Sequence, residues 1–206
     1  MGDKTMAFIT MKPGALLAPV PAVLIGVGCE SDGKIEQNLM TAAWAGTVCT
    51  HPPMFSVSIR PERYSYGLIQ KSGEFTINLT TRAILKATDY CGVVSGKDHD
   101  KWAEAHLTPI KADGMQFAPA VAESPLYLSC RVRQTLPLGS HTMFIGEAVF
   151  MGIDEALLDE KGAFHMERAQ LIAYSHGVYS GLTEALGFFG YSVASDKVLK
   201  RRLHRS

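Results

Sequence analysis

The chain has 206 residues, and its 20 acidic and 20 basic side chains leave it without formal net charge. A chain of this length can bury roughly 70% of its unfolded surface in one core, so we expect a single domain over residues 1–206. Because a neutral chain has no overall field that attracts polyanions, neither nucleic acid nor a membrane surface is an expected partner.

The first predicted elements lie in an apolar stretch at residues 13–28. This stretch is not expected to span a membrane. Pro19 and Pro21 interrupt the stretch, and it is too short to cross a bilayer. The pattern instead predicts a connector, a buried strand at residues 22–29 and a turn at residues 30–33.

Small residues surround Trp44 on both sides. They are Thr41, Ala42, Ala43, Ala45 and Gly46. Side chains of this size would let a flat ring lie against the main chain, whose N–H and C=O groups could read the edge of the ring. Close packing of a strand against its neighbour also requires small residues, so both interpretations stay open.

A strand that ends in an arginine is predicted at residues 54–60. Its apolar and polar positions alternate in the order Phe55, Ser56, Val57, Ser58, Ile59 and Arg60. Pro61 suits the first turn of a helix, which the sequence predicts over residues 62–71 with Gly73 as its end.

The start of this predicted helix is a candidate anion site. Its free N–H groups, together with Arg60, Arg63 and the hydroxyl of Ser65, would bind a phosphate. An exposed turn with two solvated arginines is the alternative, since Arg-Pro is common at strand ends.

The remaining predicted elements are mostly strands. Two helices are predicted, at residues 82–90 with Thr81 as the amino-terminal cap and at residues 98–105. Alternation of apolar and polar residues predicts strands at 74–79, 125–136 and 141–153. Many strands separated by turns favour a barrel over a doubly wound sheet. The basic tail at residues 197–205 is expected to be a solvated end.

Cysteine and histidine spacing predicts no metal site. The four cysteines form no Cys-x-x-Cys pair, and the histidines show no paired ligand spacing. We therefore expect reduced core cysteines in a cytoplasmic protein. Gly26 and Gly28 lack a third glycine and a following helix, so they do not form a dinucleotide-binding fingerprint.

Several motifs occur in order along the chain and carry a family resemblance. After the segment at residues 38–79 they are Asp89-Tyr90-Cys91-Gly92-Val93-Val94-Ser95-Gly96, Asp98-His99-Asp100-Lys101-Trp102, Gly139-Ser140-His141-Thr142-Met143-Phe144-Ile145-Gly146-Glu147, Tyr174-Ser175-His176-Gly177 and Gly187-Phe188-Phe189-Gly190. The chain resembles the flavin reductase-like, FMN-binding split-barrel family, and within it the flavoredoxin branch. Ser140 stands where the family often has an acidic residue, and Trp102 stands where it usually has phenylalanine.

The resemblance implies a mainly β fold, a split β-barrel with flanking helices that binds FMN. The residues expected to contact FMN are Thr41, Ala42, Ala43, Trp44, Thr47, Val48, Cys49, Arg60, Arg63, Tyr64, Ser65 and Lys101. His141 follows a glycine turn and matches the motif histidine of the family, so it is the expected catalytic residue beside the ring. A surface histidine on a hairpin is the alternative.

The resemblance also implies an NAD(P)H-dependent flavin reductase, with NADH or NADPH delivering hydride in an open cleft. A flavoredoxin-like electron carrier between protein partners is the alternative. The expected electron acceptor is free flavin or a redox protein. The aromatic and glycine-rich run at residues 178–191 favours a homodimer, because such a segment is a liability when exposed.

Overall fold

The computed structural model describes residues 7–183 and 185–203. The strands are β1 (Val20–Pro21), β2 (Val23–Ser31), β3 (Lys34–Ala42), β4 (Ala45–Cys49), β5 (Met54–Ile59), β6 (Glu74–Leu79), β7 (Pro109–Lys111), β8 (Pro119–Val121), β9 (Leu126–Pro137), β10 (Thr142–Ile153), β11 (Ile172–Ser175) and β12 (Val178–Gly181). The α-helices are α1 (Tyr64–Ser72), α2 (Leu85–Val93), α3 (Lys101–Glu104) and α4 (Asp196–Leu203). No helix in this described part of the chain is long and apolar enough to cross a membrane.

Seven antiparallel strands form the main sheet, in the order β3-β2-β6-β9-β10-β5-β4. Its two edge strands, β3 and β4, are consecutive in the chain and only Ala43 and Trp44 separate them. The sheet therefore has to curl until its edges meet at this link. The N–H of Ser58 donates to the carbonyl of Trp44 at 2.8 Å there. The predicted mainly β split barrel with flanking helices is confirmed.

The barrel interior is packed with apolar side chains. Phe75 and Phe144 are fully buried there, together with Val57 and Ile59 of β5. A Cβ atom on Gly146 would lie 2.7 Å from the ring of Phe75, so this position of β10 accepts only glycine without rearrangement. The alternation predicted for β5 therefore places its apolar face in the barrel core.

A second apolar layer covers the outer face of β2 and β3. Leu24 and Leu39 on these strands pack with Ile84 and Cys91 of the α2 region, and Trp102 of α3 lies against the same cluster. Because the barrel core occupies the other face, nearly the whole of β2 is buried. This explains why its sequence is apolar without alternation.

One buried carboxylate holds the loop that follows β7. The side chain of Glu74, at the start of β6, accepts hydrogen bonds of 2.5–3.1 Å from the N–H groups of Gln116, Phe117 and Ala118. Glu74 is only 7% exposed. Three consecutive backbone N–H groups thus satisfy the buried carboxylate of Glu74. The sequence pattern predicted Glu74 only as the first residue of a strand.

Helix ends differ from their predicted positions, whereas the predicted stop of α1 is confirmed by the left-handed Gly73. Helix α1 begins at Tyr64 because Arg63 before it is still extended. Thr81 does not cap α2, which begins at Leu85, because Thr81 forms a β-bridge with Leu171 instead. Of the basic tail, residues 197–203 belong to α4, and Arg205 lies outside the described residues.

A small sheet lies beside the barrel, with the strand order β1-β11-β12. Its hairpin of β11 and β12 turns at His176 and Gly177, which both have positive φ angles. The bridge from Thr81 to Leu171 joins this hairpin to the segment that leads into α2. This bridge holds the hairpin near the link between β3 and β4.

Candidate functional site

A cleft of about 430 Å³ opens beside the link between β3 and β4. The small residues Thr41, Ala42 and Ala43 form one side of it, and the end of β5 with Arg60 lies next to them. Gly92 of α2 contributes to another wall. Backbone is therefore accessible along much of the cleft, as a flat ligand requires.

The hairpin of β11 and β12 forms a further wall of the cleft through Tyr174, Gly177 and Tyr179. The phenol of Tyr179 donates to Oδ1 of Asp89 on α2 at 3.1 Å. Burial and this bond to Asp89 raise the pKa of Tyr179 to about 12, so the phenol stays protonated near neutral pH. The ring centroids of His176 and Trp44 lie 6.2 Å apart, which places the hairpin tip beside the link.

A second cavity of about 230 Å³ adjoins the cleft, and Met40 and Arg63 line both. Lys101 lines this second cavity and is only 2% exposed. Its Nζ donates to the carbonyl of Cys91 at 2.8 Å, and no carboxylate pairs with it among the described residues. Burial lowers the pKa of Lys101 to about 8. A buried cation without a counter-ion is the feature of an anion site.

Hydroxyl and backbone donors complete this second cavity. The amide of Asn38 donates from Nδ2 to Oγ of Ser65 at 2.8 Å, which leaves the Ser65 hydroxyl hydrogen free to donate. Arg63 makes no side-chain cap at the start of α1, and the N–H of Tyr66 donates to the Arg63 carbonyl, so the N–H groups of Tyr64 and Ser65 are the ones available to an anion. A Cβ on Gly96 would collide with the side chain of Asn38, so a larger residue there would have to displace the amide that donates to Ser65.

The predicted site residues divide between these two cavities. Those that line the cleft are Thr41, Ala42, Ala43, Trp44, Arg60, Arg63 and His141. Those that line the second cavity are Arg63, Tyr64, Ser65 and Lys101. Some of their polar atoms already have partners, since Thr41 donates to the carbonyl of Thr88 and Tyr64 donates to Glu36. The prediction of a ring site next to an anion site is thus consistent with the geometry.

Thr47, Val48 and Cys49, which are also expected to contact FMN, line neither cavity, and their contact with FMN stays a prediction. They belong to the edge strand β4, where Thr47 and Cys49 pair with Phe55 and Met54 of β5. The strand carries them along the barrel edge, away from the link at residues 43–44.

Sequence reasoning assigned no role to several residues that line the two cavities. Asn38 and Gly96 in the second cavity, and Asp89, Tyr174 and Tyr179 in the cleft, belong to this group. Asp89, Gly96 and Tyr174 lie within or directly beside the motifs quoted above, which is the signal that could have identified them. Within residues 7–183 and 185–203 no group of three His, Cys, Asp or Glu side chains could hold a metal ion.

Comparisons with known proteins agree with this architecture. The flavin reductase like domain model matches residues 17–182. Flavoredoxin of Desulfovibrio vulgaris (Miyazaki F) superimposes with a TM-score of 0.79 at 31% identity, covering 88% of this chain and 97% of that one. Flavoredoxin from Methanosarcina acetivorans gives a TM-score of 0.80 at 27% identity, covering 92% of this chain and 100% of that one.

A curated relative gives the same result at the level of sequence. An uncharacterized protein of Archaeoglobus fulgidus is 31% identical over 145 residues, which cover 70% of this chain and 78% of that protein. The family model spans well over half of the chain, and its match runs through both cavities. The resemblance seen in the sequence motifs is confirmed, and the chain belongs to the flavin reductase-like family.

Proposed function

We propose that the protein binds FMN and acts as an NAD(P)H-dependent oxidoreductase of the flavin reductase type. The observation that carries this proposal is the buried, unpaired ammonium of Lys101 in a small cavity that adjoins a cleft lined by small residues. A ligand with a phosphate at one end and a flat ring at the other matches this pair of cavities. When bound, FMN supplies the chemistry of accepting and releasing electrons.

The phosphate end is assigned to the second cavity. Lys101 and Arg63 supply positive charge, and the Ser65 hydroxyl and the first turn of α1 supply neutral donors. Charge-assisted hydrogen bonds of this kind are about twice as strong as neutral ones. The chain has no glycine-rich loop for a pyrophosphate, so a mononucleotide is favoured over a dinucleotide cofactor.

The ring end is assigned to the cleft. Ala42 and Ala43 keep the main chain accessible to a flat ligand, and the hairpin with Tyr179 forms a further wall. His141 lies at the cleft as well, with its Nδ1 2.9 Å from Oγ of Ser140. Its imidazole is the candidate group that tunes electron transfer beside the ring.

A flavoredoxin-like electron carrier is the second candidate function. The observation that favours it is the likeness to the Desulfovibrio vulgaris flavoredoxin, at 31% identity over 97% of that chain. A carrier would need the same flavin site but would exchange electrons with a protein partner. A reductase would instead accept hydride from a nicotinamide and pass electrons to free flavin or another acceptor.

Analysis of the bound flavin and an anaerobic titration test these proposals together. We expect the purified protein to be yellow and to release FMN, but not FAD, on denaturation. Addition of NADH or NADPH without oxygen should then bleach the oxidised flavin band rapidly. Persistence of the band with FMN bound would favour the carrier. A protein that neither contains FMN nor takes it up from solution would refute the cofactor proposal.

We also propose that the protein forms a homodimer. Large apolar side chains near both ends of the described chain are exposed, among them Phe8 (89%), Leu186 (87%) and Phe189 (104%). Light scattering should give the mass of a dimer, and Phe189→Glu should shift it toward the monomer. Ile35→Glu, at an exposed position on β3, is the matched control and should leave the dimer intact. A monomer with FMN fully bound would contradict the proposal.

The four free cysteines support the further proposal that the protein functions in the cytoplasm. Cys29, Cys91 and Cys130 are buried, and none of the four forms a disulfide. Burial raises the pKa of Cys130 to about 12 and that of Cys91 to about 11, so both remain thiols near neutral pH. Buried thiols of this kind are typical of proteins kept in a reducing compartment.

A further inference from the structure

The hydroxyl of Ser65 has a donor that the protein itself does not use. Ser65 is the second residue of α1 and is only 1% exposed. Its Oγ accepts from Nδ2 of Asn38 at 2.8 Å, and among the described residues no acceptor is hydrogen-bonded to its hydroxyl hydrogen. Because buried polar groups are normally paired, this free hydrogen indicates a ligand that accepts a hydrogen bond.

Asn38 fixes the direction of this donor. It lies on β3 and is 4% exposed, so its bond to Ser65 is shielded from water. Since the amide of Asn38 occupies one lone pair of Ser65 Oγ, the hydroxyl hydrogen has to point away from Asn38. Both residues line the cavity that holds Lys101. The hydroxyl is thus directed toward the space in which a phosphate is proposed to bind.

Gly96, which follows α2, makes room for the amide of Asn38. Its φ angle lies outside the left-handed region, so the backbone at this position would accept a side chain. A Cβ atom there would instead collide with the carboxamide of Asn38. The absence of a side chain at Gly96 therefore keeps the carboxamide in the position from which it donates to Ser65.

The charges around this group favour an anion as the acceptor. Lys101 and Arg63 line the same cavity. Glu62 lines it as well and keeps its negative charge, but its side chain is 65% exposed and lies 3.4 Å from Nη1 of Arg60. Two cations and one solvated carboxylate leave the cavity with a net positive charge.

We propose that Asn38 and Gly96 are positioning residues, which hold the Ser65 hydroxyl as a donor toward the phosphate of the flavin. This inference rests on the proposed FMN site, because it requires the phosphate to occupy the cavity of Lys101. Asn38 acts through Ser65, and Gly96 acts through Asn38. A hydroxyl that is already oriented loses less rotational freedom when the ligand binds. The two residues thereby increase the preference for FMN over riboflavin, which has no phosphate.

A double-mutant cycle for the binding of FMN and riboflavin tests this proposal. The variants are Asn38→Leu, Gly96→Ala, Ser65→Ala and the two combinations that contain Ser65→Ala. Leucine has nearly the shape of asparagine but no amide. Gly67→Ala on α1, where a Cβ atom would meet nothing within 4 Å, is the matched control for Gly96→Ala. Fluorescence titration of each apoprotein gives the Kd of both ligands, and the ratio of the two values reports the contribution of the phosphate.

Ser65→Ala is expected to lower the preference for FMN over riboflavin about tenfold, the size expected for loss of a hydrogen bond to a charged group. Asn38→Leu and Gly96→Ala should each lower it about threefold to fivefold, because the hydroxyl remains but is no longer held. In the Ser65→Ala background neither substitution should lower the preference further, since both act through the hydroxyl. Gly67→Ala should match the wild-type protein.

Other results would overturn the proposal. An unchanged or higher preference for FMN in Asn38→Leu would show that the hydroxyl donates to Asn38 instead of to the phosphate. Equal losses for FMN and riboflavin would show that Asn38 acts through the fold. Full effects in the Ser65→Ala background would show that Asn38 and Gly96 do not act through Ser65.

Gly96→Ala tests the same contact from the α2 side, so the proposal can be refuted even if Asn38→Leu does not fold. An unchanged preference for FMN in Gly96→Ala would be sufficient to do so. Failure of the proposed function has a different signature. A wild-type protein that binds riboflavin as tightly as FMN would refute the phosphate site, and one that binds neither ligand would refute the flavin site as a whole.

Discussion

Lys101→Met is expected to weaken FMN binding by at least about tenfold, the equivalent of a lost hydrogen bond to a charged group of about 1.5–3 kcal/mol. The substitution removes the buried ammonium but keeps much of the side-chain volume, so the effect isolates charge from packing. Riboflavin, which has no phosphate, should bind both proteins alike. Fluorescence titration of the apoprotein with each ligand measures the two affinities.

The pH dependence of FMN affinity provides an independent check on Lys101. Burial lowers the pKa of this group to about 8 from its ordinary 10.5. Above about pH 8 the free protein loses the proton, and binding of the phosphate has to restore it. The FMN affinity should therefore fall as pH rises above 8, and this slope should be absent in Lys101→Met.

The same shift fixes the sign of the effect on folding stability. Because the folded pKa of Lys101 lies below the unfolded value, the unfolded chain holds more protons between about pH 8 and 10.5. The contribution of Lys101 to the free energy of unfolding of the apoprotein therefore increases with pH across this window. Lys86→Met, at an exposed position of α2, is the control and should change neither profile. Similar FMN affinities for Lys101→Met and Lys86→Met would contradict the anion site.

Glu74→Ala is expected to lower the free energy of unfolding by about 2–4 kcal/mol, because buried backbone donors lose a charged acceptor. The variant leaves the N–H groups of Phe117 and Ala118 without the carboxylate that now binds them. Glu74→Gln should cost less, since its amide oxygen can still accept. Urea denaturation of the apoprotein measures each change.

Glu147→Gln is the matched control for Glu74. Its carboxylate pairs with Arg133 at 2.8 Å near the surface, where such pairs contribute about 0–1 kcal/mol. The free energy of unfolding of Glu147→Gln should therefore be close to that of the wild-type protein. If the free energy of unfolding of Glu74→Ala also lies within about 1 kcal/mol of the wild-type value, the loop at residues 112–118 does not depend on this carboxylate.

Local patterns in the sequence were sufficient for strands β2, β5, β6, β9 and β10. Alternation over Phe55 to Arg60 predicted β5 within one residue of its end, and β6 is found at Glu74–Leu79 as predicted. Alternation of apolar and polar residues indicates a strand with one buried face, and the strands of a barrel have their apolar face in the core. The helix starts were less predictable, because the bridge from Thr81 to Leu171 joins segments that are distant in sequence.

The candidate site was predicted where it lies on one continuous segment and missed where tertiary structure assembles it. Arg63 and Ser65 were predicted as site residues because the sequence indicates the start of a helix beside them. The amide of Asn38 reaches Ser65 only because β3 passes beside α1, and Tyr179 reaches Asp89 only because the fold brings the hairpin near α2. The contact of Thr47 with FMN that the resemblance implies stays a prediction, since Thr47 lies on β4 and lines neither cavity.

The two-residue link between β3 and β4 has a consequence for the handling of the protein in the cell. The main sheet ends at these two strands, so each presents backbone N–H and C=O groups that no neighbouring strand of that sheet satisfies. Exposed strand edges are templates for pairing with other chains. A flat cofactor lying against the link would shield part of this edge, so a cell that makes the protein faster than it supplies flavin is expected to accumulate aggregates.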